Sequence, residues 1–286
     1  MNAATQAGPL GELLRRHGLD SIDGAFAWTG GEDMTAVHLK GRQRWTMDLD
    51  DAQGRTWRVY MKRYLREGLG QRLSRLLTYG WRRSPAGVEL AMIRACQAAG
   101  VGTIDQAQGG EEFDCRGARR SYIIMTAVPG ESLEQSAGPF IERCGLDSRR
   151  VVEFTRLLAG LVRRFHAAGL VHRDLYNCHI FLHEPGGPAG AIELRLIDLA
   201  RAFRPRWRRF RWRVKDLAQL KHSMPWEWVS AHWGLFMDEY LPGERAAGRG
   251  RLEQAIDHKV ATIRRRGTHE DRHGLPYGYQ PKEPLP

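Results

Sequence analysis

A dense run of polar and ionisable side chains occupies residues 172–179, which read His-Arg-Asp-Leu-Tyr-Asn-Cys-His. A second aspartate, Asp198, follows directly after the short, largely apolar stretch 194–197. A carboxylate such as Asp174 can orient an alcohol and accept its proton, and a second carboxylate can bind Mg²⁺, which prefers oxygen ligands. Two aspartates on neighbouring loops therefore suit the transfer of a phosphoryl group to a hydroxyl, a reaction that depends on positioning and charge neutralisation.

Such a reaction also needs a cation on the phosphates and an anion that holds this cation. Lys62 lies in the alternating stretch 57–64, on the face opposite Trp57, Val59 and Met61. Glu89 lies in the next stretch of helical pattern, where it can pair with Lys62 and orient its amine. Competing carboxylates, Glu111 and Glu112, lie in a polar loop flanked by glycine.

Hydrophobic periodicity predicts the elements that position these groups. Residues 149–168 show apolar side chains at i, i+3, i+4 and i+7, which is typical of an amphipathic helix leading into 172–179. Short strands are predicted at 180–182 and 194–197, with a Gly/Pro-rich turn at 184–190 between them. Earlier elements are a helix within the first 20 residues, a strand at 57–64, a helix at 84–99 and a strand at 122–125. The tail from about residue 267 is predicted to be loosely held.

Composition limits the classes of partner and the cellular compartment that we expect. The 286 residues include 44 Lys and Arg against 33 Asp and Glu, a net charge of +11, which indicates an anionic partner such as a nucleic acid, a membrane surface or a phosphorylated substrate. Four scattered cysteines without a CxxC pair favour reduced thiols. There is no apolar core of a secretory signal and no apolar run near ~20 residues, so we expect a cytoplasmic protein, soluble or peripheral to a membrane.

The basic residues are concentrated with aromatic ones at 201–215. Such a segment suits an anionic lipid interface or a nucleic acid. It is also compatible with a solvated face on which arginine stems cover tryptophan rings.

The order of the reactive residues resembles that of the protein-kinase-like enzymes. Lys62 matches the lysine of the V-A-I-K strand, residues 172–174 match the H-R-D catalytic loop, and Asp198 matches the aspartate of D-F-G. The resemblance implies an α+β fold with two lobes, a small β-rich N-lobe at residues 1–127 that binds ATP and a larger helical C-lobe at 128–286 that carries the catalytic loop and binds the acceptor.

The match to protein kinases is incomplete. Tyr176 stands where those enzymes have Lys, His179 stands where they have the metal-binding Asn, and Ala200 replaces the D-F-G glycine. There is no A-P-E segment and no G-x-G-x-x-G loop. The pairs Gly30-Gly31 and Lys40-Gly41 are the candidate phosphate-loop positions, and we place Gly30 and Gly31 in the predicted ATP site.

These departures resemble a narrower family, the lipopolysaccharide core heptose/Kdo kinases (WaaP-type). That family uses H-R-D-x-Y-x-C-H followed by an apolar strand, and I-D-L-x-R-A, which residues 197–202 match. Residues 211–217 match its R-W-R-x-K-D-L segment. The resemblance covers roughly residues 57–240. It implies an ATP-dependent kinase that phosphorylates a sugar hydroxyl, of heptose or Kdo, in the inner core of lipopolysaccharide, and that works in the cytoplasm on a lipid-linked acceptor at the inner membrane.

The predicted site follows from the protein-kinase motifs and from the resemblance to the narrower family. The catalytic group comprises Asp174, Arg173 and His172, with Asp174 orienting the acceptor hydroxyl. Lys62, Glu89, Gly30 and Gly31 bind ATP. Asp198 and His179 bind the metal, with the alternative that His179 only hydrogen-bonds Asp174. Mg²⁺ is the expected ion, with Mn²⁺ possible because an imidazole is a softer ligand than an amide. Asp216 is expected to bond the backbone of the catalytic loop.

Other functions remain open at this point. A kinase for another small alcohol, such as an aminoglycoside or choline, shares the chemistry but usually keeps Asn at the position of His179. A protein Ser/Thr kinase is disfavoured by Tyr176. A non-catalytic kinase-like binding protein would commonly lack one of Lys62, Asp174 and Asp198, and all three are present. A nucleic-acid-binding module is supported by charge alone.

Overall fold

The structure is a computed structural model, and it describes residues 8–34, 41–66, 84–115, 117–243 and 246–267, with residues 70, 75, 78 and 79. Lys40 and the tail beyond Gly267 lie outside the described residues. The chain divides into two compact units. The first comprises residues up to Ala95 together with Thr103–Val128, and the second comprises Cys96–Gly102 together with the chain from Pro129.

The first unit is built on a five-stranded antiparallel sheet with the strand order β1-β2-β3-β5-β4. The strands are β1 (Glu32–Asp33), β2 (Arg42–Asp50), β3 (Thr56–Tyr64), β4 (Ala107–Asp114) and β5 (Gly117–Thr126). Its helices are α1 (Pro9–Arg16), α2 (Ile22–Ala27) and most of α3 (Pro85–Ala98). In the register of β2 and β3, Arg44 lies opposite Lys62, and Thr46 lies opposite Tyr60.

One face of this sheet forms the core of the unit. Val59 and Met61 of β3 are fully buried and pack in one cluster with Leu13 and Leu14 of α1. Tyr60, on the opposite face of β3, is exposed. The alternation predicted for 57–64 is therefore present, and it leaves the face that carries Lys62 outside the apolar cluster.

A charged residue also enters the buried face. Arg63 is almost fully buried, donates to the carbonyl oxygen of Trp28, and lies over the rings of Phe26 and Trp45. Burial lowers the pKa of Arg63. Aromatic faces and a carbonyl oxygen partly replace the water that the guanidinium loses.

The second unit is mostly helical. Its helices are α4 (Leu133–Cys144), α5 (Arg149–Ala167), α6 (Arg209–Ser223), α7 (Trp226–Tyr240) and α8 (Ala246–Gly267), and a small sheet joins β6 (Glu131–Ser132), β7 (Ile180–His183) and β8 (Glu193–Leu196). Phe154 and Phe165 of α5 and Trp228 of α7 are fully buried, and Trp228 Nε1 donates to Thr155 Oγ1 over 2.9 Å. Within the described residues, no helix has the length and apolar character needed to cross a bilayer.

The helix that leads into the polar loop is bounded by local signals. Ser148 caps α5 by accepting a hydrogen bond from the backbone N–H of Val151. Gly169, with φ of 75°, follows its last turn, a conformation that glycine adopts without a Cβ penalty. The chain then passes into residues 172–179, which end in a short 3₁₀ turn (Asn177–His179) before β7.

Candidate active site

Lys62 and Glu89 form a buried ion pair within the first unit. Lys62 Nζ, on β3, lies 2.6 Å from Glu89 Oε1, on α3, and Tyr64 Oη donates to the other carboxylate oxygen over 3.2 Å. Glu89 is fully buried, which is tolerated because both of its oxygens are bonded. The competing Glu111 instead accepts from the backbone N–H of Ser84, at the start of α3. Glu112 pairs with Arg119 and Arg120.

A cavity of about 460 Å³ lies against the sheet of this unit and is lined in part by Gly31, Thr46 and Tyr60. Tyr60 and Lys62 share one face of β3, so the cavity and the lysine lie on the same side of the sheet. Gly31 has φ of 92°, and a Cβ at this position would lie 2.4 Å from the carbonyl oxygen of Thr46. The pair Gly30-Gly31 lies before β1. It is therefore not part of the connection between β1 and β2, which begins at Met34.

In the second unit, one face of α6 holds the backbone of the loop. Asp216 is fully buried; its Oδ2 accepts from the N–H of His172 over 2.7 Å, and its Oδ1 accepts from the N–H of Arg173 over 2.8 Å. Gln219 Oε1 accepts from the N–H of Leu175 over 3.3 Å, and Ser223 Oγ accepts from the N–H of Asn177 over 2.9 Å. The spacing i, i+3, i+7 places these three acceptors on one helix face.

Sequence reasoning identified Asp216 and missed Gln219 and Ser223. Both are polar residues at helical spacing from Asp216, which was the signal available in the sequence. The structure buries both. Four backbone N–H groups of the loop thereby find partners in one helix, which meets the hydrogen-bonding demand of buried backbone without regular secondary structure.

Strained backbone marks the two loops that carry the aspartates. Among the described residues other than glycine, positive φ occurs at Arg173 (72°), Asp198 (53°) and Arg208 (57°). Such conformations cost about 1–3 kcal/mol each and cluster at functional sites. The guanidinium of Arg173 lies over the rings of Phe203 and Trp212, at 5.6 and 5.5 Å from their centroids, so its side chain is held inside the unit.

The imidazole of His179 connects the two aspartates. Its Nδ1 lies 2.7 Å from the backbone carbonyl oxygen of Asp174 and must donate to it, because a carbonyl oxygen only accepts. Nε2 lies 3.8 Å from Asp198 Oδ2. One imidazole nitrogen and one carboxylate oxygen thus face each other, a donor set that suits Mg²⁺ or Mn²⁺ when further oxygens complete it.

Two cations flank the carboxylate of Asp174. Arg201 Nη1 lies 2.6 Å from Oδ2, and Lys215 Nζ lies 3.8 Å from Oδ1. Lys215 also donates to the carbonyl oxygen of Arg173. Across the described part of the chain, no cluster of three or more His, Cys, Asp and Glu side chains could hold a metal ion by itself. Asp198 and His179 would supply two of the ligands of a bound metal.

His172 does not reach the surface of the loop. It is fully buried, its Nε2 donates to the carbonyl oxygen of Ile197 over 2.9 Å, and its ring stacks on that of His179 with centroids 5.6 Å apart. Burial lowers the pKa of His172 and keeps the ring neutral. The fully buried imidazole is not open to an acceptor in this structure, and the catalytic role of His172 stays a prediction. The side chain of Arg173 packs on two rings, and its catalytic role likewise stays a prediction.

The basic and aromatic segment 201–215 divides into two parts. Trp207 is 81% exposed and Phe210 is 42% exposed. The exposed arginines of this part are Arg201, Arg204, Arg206, Arg208, Arg209 and Arg211. Nearer its end the segment turns inward, where Arg213 Nε donates to Tyr240 Oη over 2.9 Å.

Comparisons with known proteins identify similar proteins. The family described as "Lipopolysaccharide kinase (Kdo/WaaP) family" matches residues 37–240. A curated relative, the lipopolysaccharide core heptose(I) kinase WaaP of Pseudomonas aeruginosa, is 32% identical over 210 residues, which cover 68% of this chain and 75% of the relative. The WaaP of Escherichia coli is 32% identical over 186 residues, 61% of this chain and 68% of the relative.

A solved structure titled "WaaP in complex with acyl carrier protein" superimposes with a TM-score of 0.65 at 25% sequence identity. The match covers 87% of this chain and 95% of the solved chain. The predicted protein-kinase-like α+β fold is thereby confirmed. The family match spans well over half of the sequence, and the chain therefore belongs to the lipopolysaccharide kinase (Kdo/WaaP) family.

Proposed function

We propose that this protein transfers the γ-phosphate of ATP to a hydroxyl group of a heptose in the inner core of lipopolysaccharide. The single observation that carries the mechanism is the connection through His179, which brings the backbone of Asp174 and the carboxylate of Asp198 to one imidazole. The curated relatives, named as heptose(I) kinases, favour heptose over Kdo as the acceptor.

Each group has one task in this proposal. An alcohol is a poor nucleophile at neutral pH, so the carboxylate of Asp174 orients the acceptor hydroxyl and takes its proton as the new bond forms. Lys62, held by Glu89, contacts the phosphates of ATP from β3. Asp198 and His179 hold Mg²⁺, which when bound supplies charge neutralisation of the phosphoryl oxygens. Asp216, Gln219 and Ser223 keep the loop in place.

The exposed part of the basic segment is proposed to contact the membrane on which a lipid-linked acceptor resides. Trp207 and Phe210 provide apolar surface at the level of lipid headgroups, and the surrounding arginines provide attraction to anionic lipids. The proposal includes a cytoplasmic location, peripheral to the inner membrane. Acyl carrier protein is proposed as a protein partner because the similar solved structure contains WaaP together with acyl carrier protein. Co-purification of this protein with tagged acyl carrier protein tests the partnership.

The decisive experiment incubates the purified enzyme with radiolabelled ATP and a panel of dephosphorylated core glycolipids. The panel includes one that ends in Kdo without heptose, and an aminoglycoside and choline serve as small-alcohol acceptors. Label should enter the heptose-containing glycolipid, and Asp174→Ala should abolish the transfer. Labelling of the Kdo-only lipid would replace heptose by Kdo as the acceptor, and labelling of a small alcohol alone would contradict the proposal.

A further inference from the structure

The catalytic loop of this chain lacks a cation that protein kinases place two residues after the catalytic aspartate. Tyr176 occupies that position. Tyr176 serves the loop through its backbone instead, since its N–H donates to the carbonyl oxygen of Asp174 and its own carbonyl accepts from the N–H of His179. The transferring phosphoryl group carries negative charge, which a neutral side chain at this position does not offset and a cation from another element can.

Lys215, from α6, supplies a cation next to Asp174. Its Nζ is held by the carbonyl oxygen of Arg173 and lies 3.8 Å from Asp174 Oδ1. The ammonium group has three donors, and these two contacts leave one N–H to aim at a third oxygen. Lys215 directly precedes Asp216, whose carboxylate holds the loop, so the distance between the lysine and Asp174 is fixed by the same anchor.

Arg201 is the other cation at Asp174, and it is more exposed than Lys215. Its side chain is 57% exposed, whereas that of Lys215 is 26% exposed. Burial lowers the pKa of Lys215, and the neighbouring Asp174 opposes this effect. Lys215, which is the less exposed of the two and contacts the loop at Arg173 and at Asp174, is therefore the better candidate for a cation fixed beside the aspartate.

We infer that Lys215 is a further catalytic residue, which donates a hydrogen bond from Nζ to an oxygen of the γ-phosphoryl group during transfer. This inference rests on the proposed kinase function. In the transfer, the acceptor oxygen forms a bond to the γ-phosphorus, and the bond from that phosphorus to the β-γ bridging oxygen breaks. The electron pair leaves with ADP, the hydroxyl proton goes to Asp174, and Lys215 keeps its proton throughout.

The test compares Lys215→Met with the matched control Lys221→Met, which removes a lysine of the same helix whose partner is Asp257 on α8. Calorimetry in Mg²⁺ buffer measures the affinities for ATP and ADP, and single-turnover assays measure transfer to the heptose-containing glycolipid. Lys215→Met should weaken ATP binding at least ~10-fold with ADP affinity unchanged, and should slow transfer at least ~100-fold, as removal of one transition-state donor typically does. Lys221→Met should keep both the ATP/ADP affinity ratio and the transfer rate.

A rescue separates chemistry from misfolding. Lys215→Cys treated with 2-bromoethylamine acquires an amine at nearly the position of Nζ, and its transfer rate should recover at least ~10-fold, since the lost donor is restored. Burial raises the pKa of Cys96 to about 12 and that of Cys178 to about 11, which slows their alkylation. The treated wild type controls for Cys115 and Cys144. An unchanged ATP/ADP affinity ratio in Lys215→Met, or no recovery after alkylation, would overturn the inference. If the wild type phosphorylates no acceptor, the proposed function fails, and the affinity ratio alone decides the role of Lys215.

Discussion

The carboxylate of Asp216 accepts a 2.8 Å hydrogen bond from the backbone N–H of Arg173, a residue whose φ is 72°. The buried acceptor and the strained donor belong together, because an L-residue keeps a left-handed conformation only where its surroundings favour it. The same carboxylate binds the N–H of His172, so a single side chain fixes the backbone directly before Asp174.

Asp216→Ala should therefore both destabilise and inactivate the protein. It leaves two buried N–H groups without their acceptor, at about 1–3 kcal/mol each, and releases the strained residue. Urea denaturation and transfer assays measure the two effects. Asp257→Asn, at an exposed ion pair, should cost less than about 1 kcal/mol and leave activity intact. A silent Asp216→Ala variant would contradict the role of Asp216.

Replacement of Asp174 and replacement of Asp198 should have different effects on nucleotide binding. Asp174→Ala and Asp198→Ala should each lose at least ~100-fold in turnover, in line with the loss of a general base or a metal ligand. Asp174→Ala should keep its affinity for ATP, whereas Asp198→Ala should lose the dependence of ATP binding on metal. His179→Asn should be milder and should shift the preference between Mg²⁺ and Mn²⁺. Near-normal transfer by Asp174→Ala would show that the active site lies elsewhere.

The ion pair between Lys62 and Glu89 should act on nucleotide binding alone. Lys62→Met should weaken ATP binding and leave binding of the glycolipid acceptor unchanged, because the lysine is proposed to contact phosphates. Glu89→Gln keeps a polar group at a fully buried position and should lower ATP affinity less than Lys62→Met. Titration of nucleotide and acceptor into each variant measures both affinities. Equal losses of acceptor and nucleotide binding would indicate a general loss of structure instead.

The exposed arginines should govern membrane binding. Replacement of Arg206, Arg208 and Arg211 by Gln should weaken binding to anionic vesicles by about 1 kcal/mol per residue, and the effect should shrink as salt is added. ATP affinity should not change. A triple replacement of the exposed Arg15, Arg16 and Arg94 removes the same charge from the first unit and serves as the control. Equal vesicle binding by the two triple variants would refute a contact at the segment.

His172 predicts an acid-sensitive stability. Its folded-state pKa is lowered by burial, so the unfolded chain binds a proton near its ordinary pKa of about 6.5 while the folded chain binds it only at lower pH. The stability contributed by neutral His172 is therefore fully present above about pH 6.5 and is lost as the pH falls toward the folded pKa. The free energy of unfolding of His172→Gln should fall less steeply from pH 7 to pH 5 than that of the wild type. The exposed His258→Gln should keep the wild-type slope, and parallel profiles for all three proteins would contradict the assignment.

The parts that the sequence predicts well are those with a strong local pattern. The 3.6-residue period of α5 and the alternation in β3 were readable because one face of each element is buried. Arg63 and Lys215 were not readable in this way. A charged side chain usually indicates a solvent-exposed position. Only the fold shows that Phe26 and Trp45 cover Arg63, and that α6 brings Lys215 to Asp174. The glycine pair at 30–31 remains a prediction for the nucleotide site.

The face of α6 that carries Asp216, Gln219 and Ser223 also sets the dynamics of the loop. A loop of this kind ordinarily opens on its own, at a small fraction of the global free energy, and its amides exchange with solvent early. Here the amides of residues 172, 173, 175 and 177 are bonded to a buried helix face. Their hydrogens should exchange only when α6 itself melts. The loop and the helix should therefore form one cooperative unit, and heat inactivation should coincide with the melting of α6.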